Sequence, residues 1–337
     1  MAVTRFILGS LTLAALVACG GGGGGGNSGA AAGGGSVVVD APAVVTPLAL
    51  TSSNYLAASQ EVLVATDAVQ TSSVLVTGVQ TANPRAGFQF TQAQLAKLPA
   101  WVRDAPATVT GAIVSRSVAC THSGSLAISV QDQGQLNVLD KGDVIAVTAN
   151  NCNEDGSFIT GTFSMAVTAA TSASIYTVNT TFSNLTTVSA AVTTILNGGV
   201  TMGLNVSSNT EYTATLQSNP SLAFTSTNFG GSPFSSTLSN FNATVHGYSG
   251  YVATSIDSCS LVNSNLGTLP VTCSTPQAFT RVAVDDYPSV GQMLIKGANG
   301  SKVRVTAQNY QTVLIELDAN GDDIYELAVS KLWGDLF

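Results

Sequence analysis

Thr312-Val313-Leu314-Ile315-Glu316-Leu317, the turn Asp318-Ala319-Asn320-Gly321-Asp322, and Asp323–Val329 read as one β-hairpin. Side chains alternate across a strand, so Val313, Ile315 and Leu317 share one face, and Leu314, Glu316 and Asp318 share the other. The stretch before it repeats the design: Gln292–Lys296, then Ala298-Asn299-Gly300-Ser301, then Lys302–Thr306 reads as a hairpin on an Asn-Gly turn. Trp333 and Leu336 follow as apolar closures for the edge of the core.

Working back from this end, the same period of two holds to about residue 106. Candidate strands are Ala107–Val118, Ser125–Gln131, Asp143–Ala149, Ser157–Thr168, Ser174–Thr187, Ala190–Val206, Glu211–Leu216, Leu222–Thr227, Thr237–Val245 and Tyr248–Ile256. Asp132-Gln133-Gly134, Glu154-Asp155-Gly156 and Asn197-Gly198-Gly199 carry turn chemistry between them. Such short connections make neighbours antiparallel, and the lack of intervening helical segments excludes a parallel βαβ arrangement. The expected fold is mainly β: an antiparallel sandwich or strongly curved sheet of ten or more strands.

Ahead of residue 106 the texture changes. Thr51-Ser52-Ser53-Asn54 offers N-caps, and Leu56, Val62, Leu63, Val69 and Val76 are spaced as an apolar helical stripe over about 53–78. This helix is expected to pack on the sheet. A second, short helix is expected from Thr91 to about Lys97, ended by Pro99. Val37 to Leu50 reads as extended and proline-interrupted, and residues 20–36, nearly all Gly, Ser, Ala and Asn, as a flexible tether.

The first twenty residues form a separate signal. Arg5, then an apolar run from Phe6 to Val17, has the charge and the length of a secretory signal peptide. Its ending, Leu16-Val17-Ala18-Cys19, resembles the lipobox of bacterial lipoproteins. That resemblance implies cleavage before Cys19, a diacylglycerol on its sulfur and acylation of the new amine. Gly20, where an aspartate tends to mark inner-membrane retention in such lipoproteins, favours the outer membrane. Cleavage after Ala30-Ala31-Ala32, with release as a soluble protein, is the alternative. The implied organisation is a signal peptide at 1–18, a tether at 19–36, an extended segment with helices at 37–105 and a β domain at 106–337.

With Cys19 assigned to lipid, Cys120, Cys152, Cys259 and Cys273 remain. An even set in an exported chain reads as disulfides, and of three pairings the local one, Cys120–Cys152 and Cys259–Cys273, is expected. A wider pattern, Cys120…Gly142-Asp143…Asn151-Cys152…Gly161-Thr162, then Gly297-Ala298-Asn299-Gly300-Ser301…Asp318-Ala319-Asn320-Gly321-Asp322…Trp333, resembles uncharacterised β-rich lipoproteins of Gram-negative bacteria. That group carries no established activity. Its likeness supports the disulfides and hairpins only.

Charged residues make up 9% of the chain and the net charge is −8, with no Lys/Arg cluster. That balance argues against nucleic acid, whose binding needs cationic contacts. Asp318, Asn320 and Asp322 match the first three ligand positions of a calcium loop. Asp323 then stands where glycine is needed and Val329 where the closing glutamate should be, so a turn capped by its own side chains is the simpler expectation. His122 and His246 are the sole histidines. His246-Gly247-Tyr248-Ser249-Gly250 falls one residue short of a nucleophile elbow, and Asp285-Asp286 are too close in sequence to face each other on a strand. No catalytic constellation emerges, and no cofactor is implied beyond a weak Ca²⁺ option. The expected role is a binding or structural one at the cell envelope, with a membrane reached through the lipid and a lipid or envelope protein as partner. A carrier of lipid or another apolar ligand is the alternative, recognisable by an apolar cavity between helix and sheet.

Overall fold

The computed structural model describes residues 46–74, 86–105, 111–154, 156–189, 192–208, 211–228 and 233–337. The signal peptide, Cys19, the tether, Val76 in the expected helix and Asp155 in its turn lie outside these residues.

Among the described residues, three helices precede the sheet: α1 (Tyr55–Val74), α2 (Ala86–Leu95) and α3 (Leu98–Arg103). Fourteen strands follow: β1 (Ile113–Ala119), β2 (Ser123–Gln131), β3 (Val144–Glu154), β4 (Ser157–Ser172), β5 (Ile175–Val188), β6 (Val192–Ser208) and β7 (Glu211–Asn228) make the first half. The second half is β8 (Phe234–Tyr248), β9 (Tyr251–Asn263), β10 (Val271–Val282), β11 (Val290–Lys296), β12 (Lys302–Ala307), β13 (Thr312–Asp318) and β14 (Leu327–Leu332). All belong to one antiparallel sheet whose spatial order is the chain order, β1 at one edge and β14 at the other. Of the two architectures the alternation allows, the single curved sheet is the one adopted, and it does not close on itself.

Curvature follows from what the helix touches. α1 contacts β7, β8 and β9 and also β12 and β13. On a flat sheet β7 and β13 would lie six strand spacings apart, about 29 Å at ~4.8 Å each. A helix laid across a flat sheet would touch the strands between, yet α1 makes few contacts with β10 and β11, so the sheet curves to bring both groups of strands to it. The apolar alternates of the strands meet Ala58, Val62, Leu63, Ala65 and Val69 of α1 in one continuous core. Ser59 and Thr66 are buried in the same interface because their hydroxyls donate to the carbonyls of Tyr55 and Val62, each one turn back (2.7 and 2.8 Å). Glu61 fastens the helix from its flank, accepting from the amides of Asn263 and Asn265 (2.7 and 2.8 Å).

The bend has its basis in the backbone. A line of register shifts crosses the sheet strand by strand, at Ala149/Cys152, Thr160/Thr162, Phe182/Leu185, Gly198/Val200, Gln217/Ser221 and Ser239/Asn242. A bulge adds a residue to one strand, bends it and increases its twist. The extra residues include Asn151, Asn184 and Asn240 at φ near +49°, a conformation asparagine tolerates better than branched residues. Glycine accommodates the neighbour: a Cβ on Gly161, itself at φ +118°, would stand 2.3 Å from the Asn184 carbonyl oxygen.

Three expectations need correction. Pro99 begins α3 rather than ending α2, occupying the first turn where a missing N–H is harmless. Asn197-Gly198-Gly199 is the bulge inside β6 and not a turn. Glu211–Leu216 and Leu222–Thr227 are one strand, β7, which passes through Pro220 by placing it at a bulge. β10 escaped the alternation because Pro276 and two register shifts scramble its burial.

Candidate functional site

Both disulfides form with the local pairing: Cys120–Cys152 (Cα–Cα 5.6 Å) and Cys259–Cys273 (4.9 Å). The second joins directly opposed residues of β9 and β10. The first encloses β2 and the loop to β3, residues 132–143.

The C-terminal loop, Asp318 to Glu326, is organised by its own side chains. Asp318 has no exposed surface; its two oxygens accept from Gly321 N (2.6 Å) and Asp323 N (2.8 Å), and Lys302 Nζ lies 3.2 Å away. Asn320 Oδ1 accepts from Asp322 N, Asp322 Oδ1 from Ile324 N, and Glu326 Oε2 from Ala319 N. Lys302 also pairs with Asp323. Burial alone would raise the Asp318 pKa, but the two N–H donors and Lys302 outweigh it and hold the carboxyl below its ordinary value. Asp318, Asp322 and Glu326 place carboxylate oxygens within 4.8 Å of one another. Asn320, the third residue of the expected calcium set, is instead spent on capping and on Asp322.

The loop between β2 and β3 is built on the same plan with opposite electrostatics. Asp132 and Asp143 are both fully buried. Asp143 accepts from Gln133 N (2.9 Å) and Asp140 N (2.7 Å), and Asp140 accepts from Gln135 N (2.7 Å). No Lys or Arg forms an ion pair with these three among the described residues. Burial pushes the Asp143 pKa up, and the charges of Asp132 and Asp140 push it further against the two N–H donors.

Neither histidine gains a catalytic setting. His246 is exposed on β8 and packs its ring 5.0 Å from Tyr248, which stacks on Tyr251. Ser249 and Gly250 form the tight turn between β8 and β9, both at positive φ, so this stretch is a hairpin and no elbow. His122 lies exposed beside the Cys120 bridge, its N–H on Asn153 O. Asp285 closes a turn with its N–H on Val282 O, and its backbone carbonyl, with that of Ala283, accepts from the partly buried Arg281 guanidinium (2.7 and 3.1 Å).

A groove of about 480 Å³ opens at the rim where the β4–β5 and β6–β7 hairpins turn. Thr177, Gly203 and Thr215 cross it in direct register on the outer face of the sheet. Asn205 and Thr213 stand beside them, and none of the lining residues is charged. Gly203 keeps the floor open, since a Cβ there would sit 2.5 Å from the Thr215 hydroxyl. Burial raises the Tyr176 phenol to about 12, so it borders the groove as a neutral hydroxyl. Sequence reasoning missed this site; its signal was the regular supply of Thr and Asn at outward positions of long strands.

The chain matches no protein-family model, no curated protein and no solved structure.

Proposed function

We propose that this chain is a lipid-anchored protein of the cell envelope, held through Cys19 at the outer membrane, and that its β domain is a binding or structural module rather than a catalyst. The observation that carries the reading is the division of the sheet's two faces. The apolar concave face is filled by the chain's own helices, which favours a solid module over an apolar carrier. The outer face presents uncharged Thr and Asn around an open groove. A neutral ligand rich in hydroxyl and amide groups, such as a glycan chain, suits that lining, because hydroxyls and amides exchange hydrogen bonds with it at no cost in buried charge.

The anchor is tested by fractionation. Wild type should follow the membranes and Cys19→Ser the soluble fraction, since acyl chains hold at about 0.8 kcal/mol per buried CH₂; a variant that stays on the membrane sinks the lipid reading. The module is tested by native mass spectrometry of that variant with neutral oligosaccharides. Binding by the parent and none by Gly203→Leu, which fills the groove, is expected. A co-purifying lipid-sized adduct would instead install the carrier reading.

A further inference from the structure

The register between β2 and β3 ends at Gln131↔Val144, so Asp132 and Asp143 are the next directly opposed pair. Each extends a core-facing series: Leu126, Ile128 and Val130 lead to Asp132, and Asp143 leads into Ile145, Val147 and Ala149. Opposed side chains on one face hold their Cβ atoms about 4.5–5.5 Å apart, and like charges placed there repel. Neither residue has exposed surface through which water could screen that repulsion. Asp132 Oδ2 accepts from Asn137 N (2.7 Å), while Oδ1 is buried with no hydrogen-bond partner. A buried carboxylate oxygen without a donor is a costly arrangement that calls for an uncounted partner.

We propose that Asp132 and Asp143 together hold a hard divalent cation, of which Ca²⁺ is the best fit. Carboxylate oxygens are its preferred ligands, and an oxygen that already accepts one N–H keeps a further lone pair for a metal. Asp140, half-buried beside them, adds a third negative charge to the loop. The other acidic group, Asp318, Asp322 and Glu326, lacks this signature: its carboxylates are hydrogen-bonded and Lys302 supplies the positive charge.

The test is thermal melting of the purified, disulfide-bonded full chain, stripped with EDTA and titrated with CaCl₂. A cation that binds the folded state alone raises the melting temperature with concentration. Wild type should gain several degrees by millimolar Ca²⁺. Asp132→Asn keeps an acceptor for Asn137 N and puts an amide donor in place of the unpartnered oxygen. It should therefore melt above the stripped wild type and lose the Ca²⁺ shift. Asp322→Asn should keep the shift. Metal analysis of the dialysed wild type should return one Ca²⁺ per chain, whatever the variants do. The proposal is overturned by no bound ion, by a shift that survives Asp132→Asn, or by one that disappears in Asp322→Asn.

Discussion

The loops at 132–143 and 318–326 solve the same problem in two ways. Each buries an aspartate completely and gives its two oxygens two backbone N–H donors. Asp318 is nonetheless held below its ordinary value and Asp143 above it. Burial is the largest influence on both: at Asp143 it exceeds the two N–H donors and the charges of Asp132 and Asp140 add to it, while at Asp318 the two N–H donors and Lys302 outweigh it. The covalent setting differs too. The first loop lies inside the segment closed by Cys120–Cys152, while the second lies outside both bridges and relies on side chains alone.

The largest effect should come from that covalent difference. Replacing Cys120 and Cys152 by Ala removes a bridge between residues 32 apart, worth about 3.7 kcal/mol in the chain-entropy model. Urea denaturation should show a loss of this order; a loss near zero would mean that the first loop, like the second, is held by local contacts. Next in size is Gly161→Ala. A Cβ forced against the Asn184 carbonyl at φ +118° should cost about 2 kcal/mol. Because the site touches neither loop, it should leave the Ca²⁺ response intact, separating stability from cation binding.

Lys302→Met makes the second loop resemble the first, leaving Asp318 buried without its cation. A lower melting temperature is expected at pH 7, partly restored by adding Asp318→Asn. The pH dependence should change with it. A depressed carboxyl such as Asp318 contributes stability that is present above its unfolded pKa of 3.8 and is lost as pH falls through the lower folded value. The raised Asp143 works the other way: without a cation, stability declines as pH rises from 3.8 through the folded pKa. Melting profiles from pH 3 to 7 on stripped protein should therefore show Lys302→Met losing the first contribution while the second persists. The smallest effect belongs to Arg304→Lys. It removes a two-pronged bond to Glu316 (2.7 and 2.8 Å) and the packing of the guanidinium 3.9 Å over Tyr325. Solvent already screens this pair, so about 0.5–1 kcal/mol is expected from chemical denaturation.

The second loop was legible in part: its residues are contiguous and β13 alternates cleanly up to Leu317, but Asp318, expected on the outer face, is buried, and the return strand expected from Asp323 begins only at Leu327. Val313, Ile315 and Leu317 face the core as the spacing requires, and Trp333 closes the edge with 1% exposure. The disulfides were legible for a similar reason, since each partner is the nearest other cysteine along the sequence once Cys19 is set aside. The Asp132–Asp143 pair was not. Its members stand in different strands' extensions and meet only once β2 and β3 have a register. The trace they leave is an aspartate in the next core-facing position after Val130 and another in the position before Ile145. The bulges were equally hidden, because Asn-Gly and Asn-Pro signal a turn in a short strand and a kink in a long one. Nothing local tells residues 197–199 that β6 continues.

The strand order has a consequence for how the chain reaches its final form. Each strand pairs only with its sequence neighbours, so pairing closes short loops and pays little entropy at any step. The sheet can zip forward one hairpin at a time along the polypeptide. α1 is the exception. It comes first in the chain, yet part of its apolar flank is covered by β12 and β13, which come nearly last. Until they arrive that surface stays wet and adhesive, so the interval between the first helix and the last hairpins is when this protein most needs a chaperone.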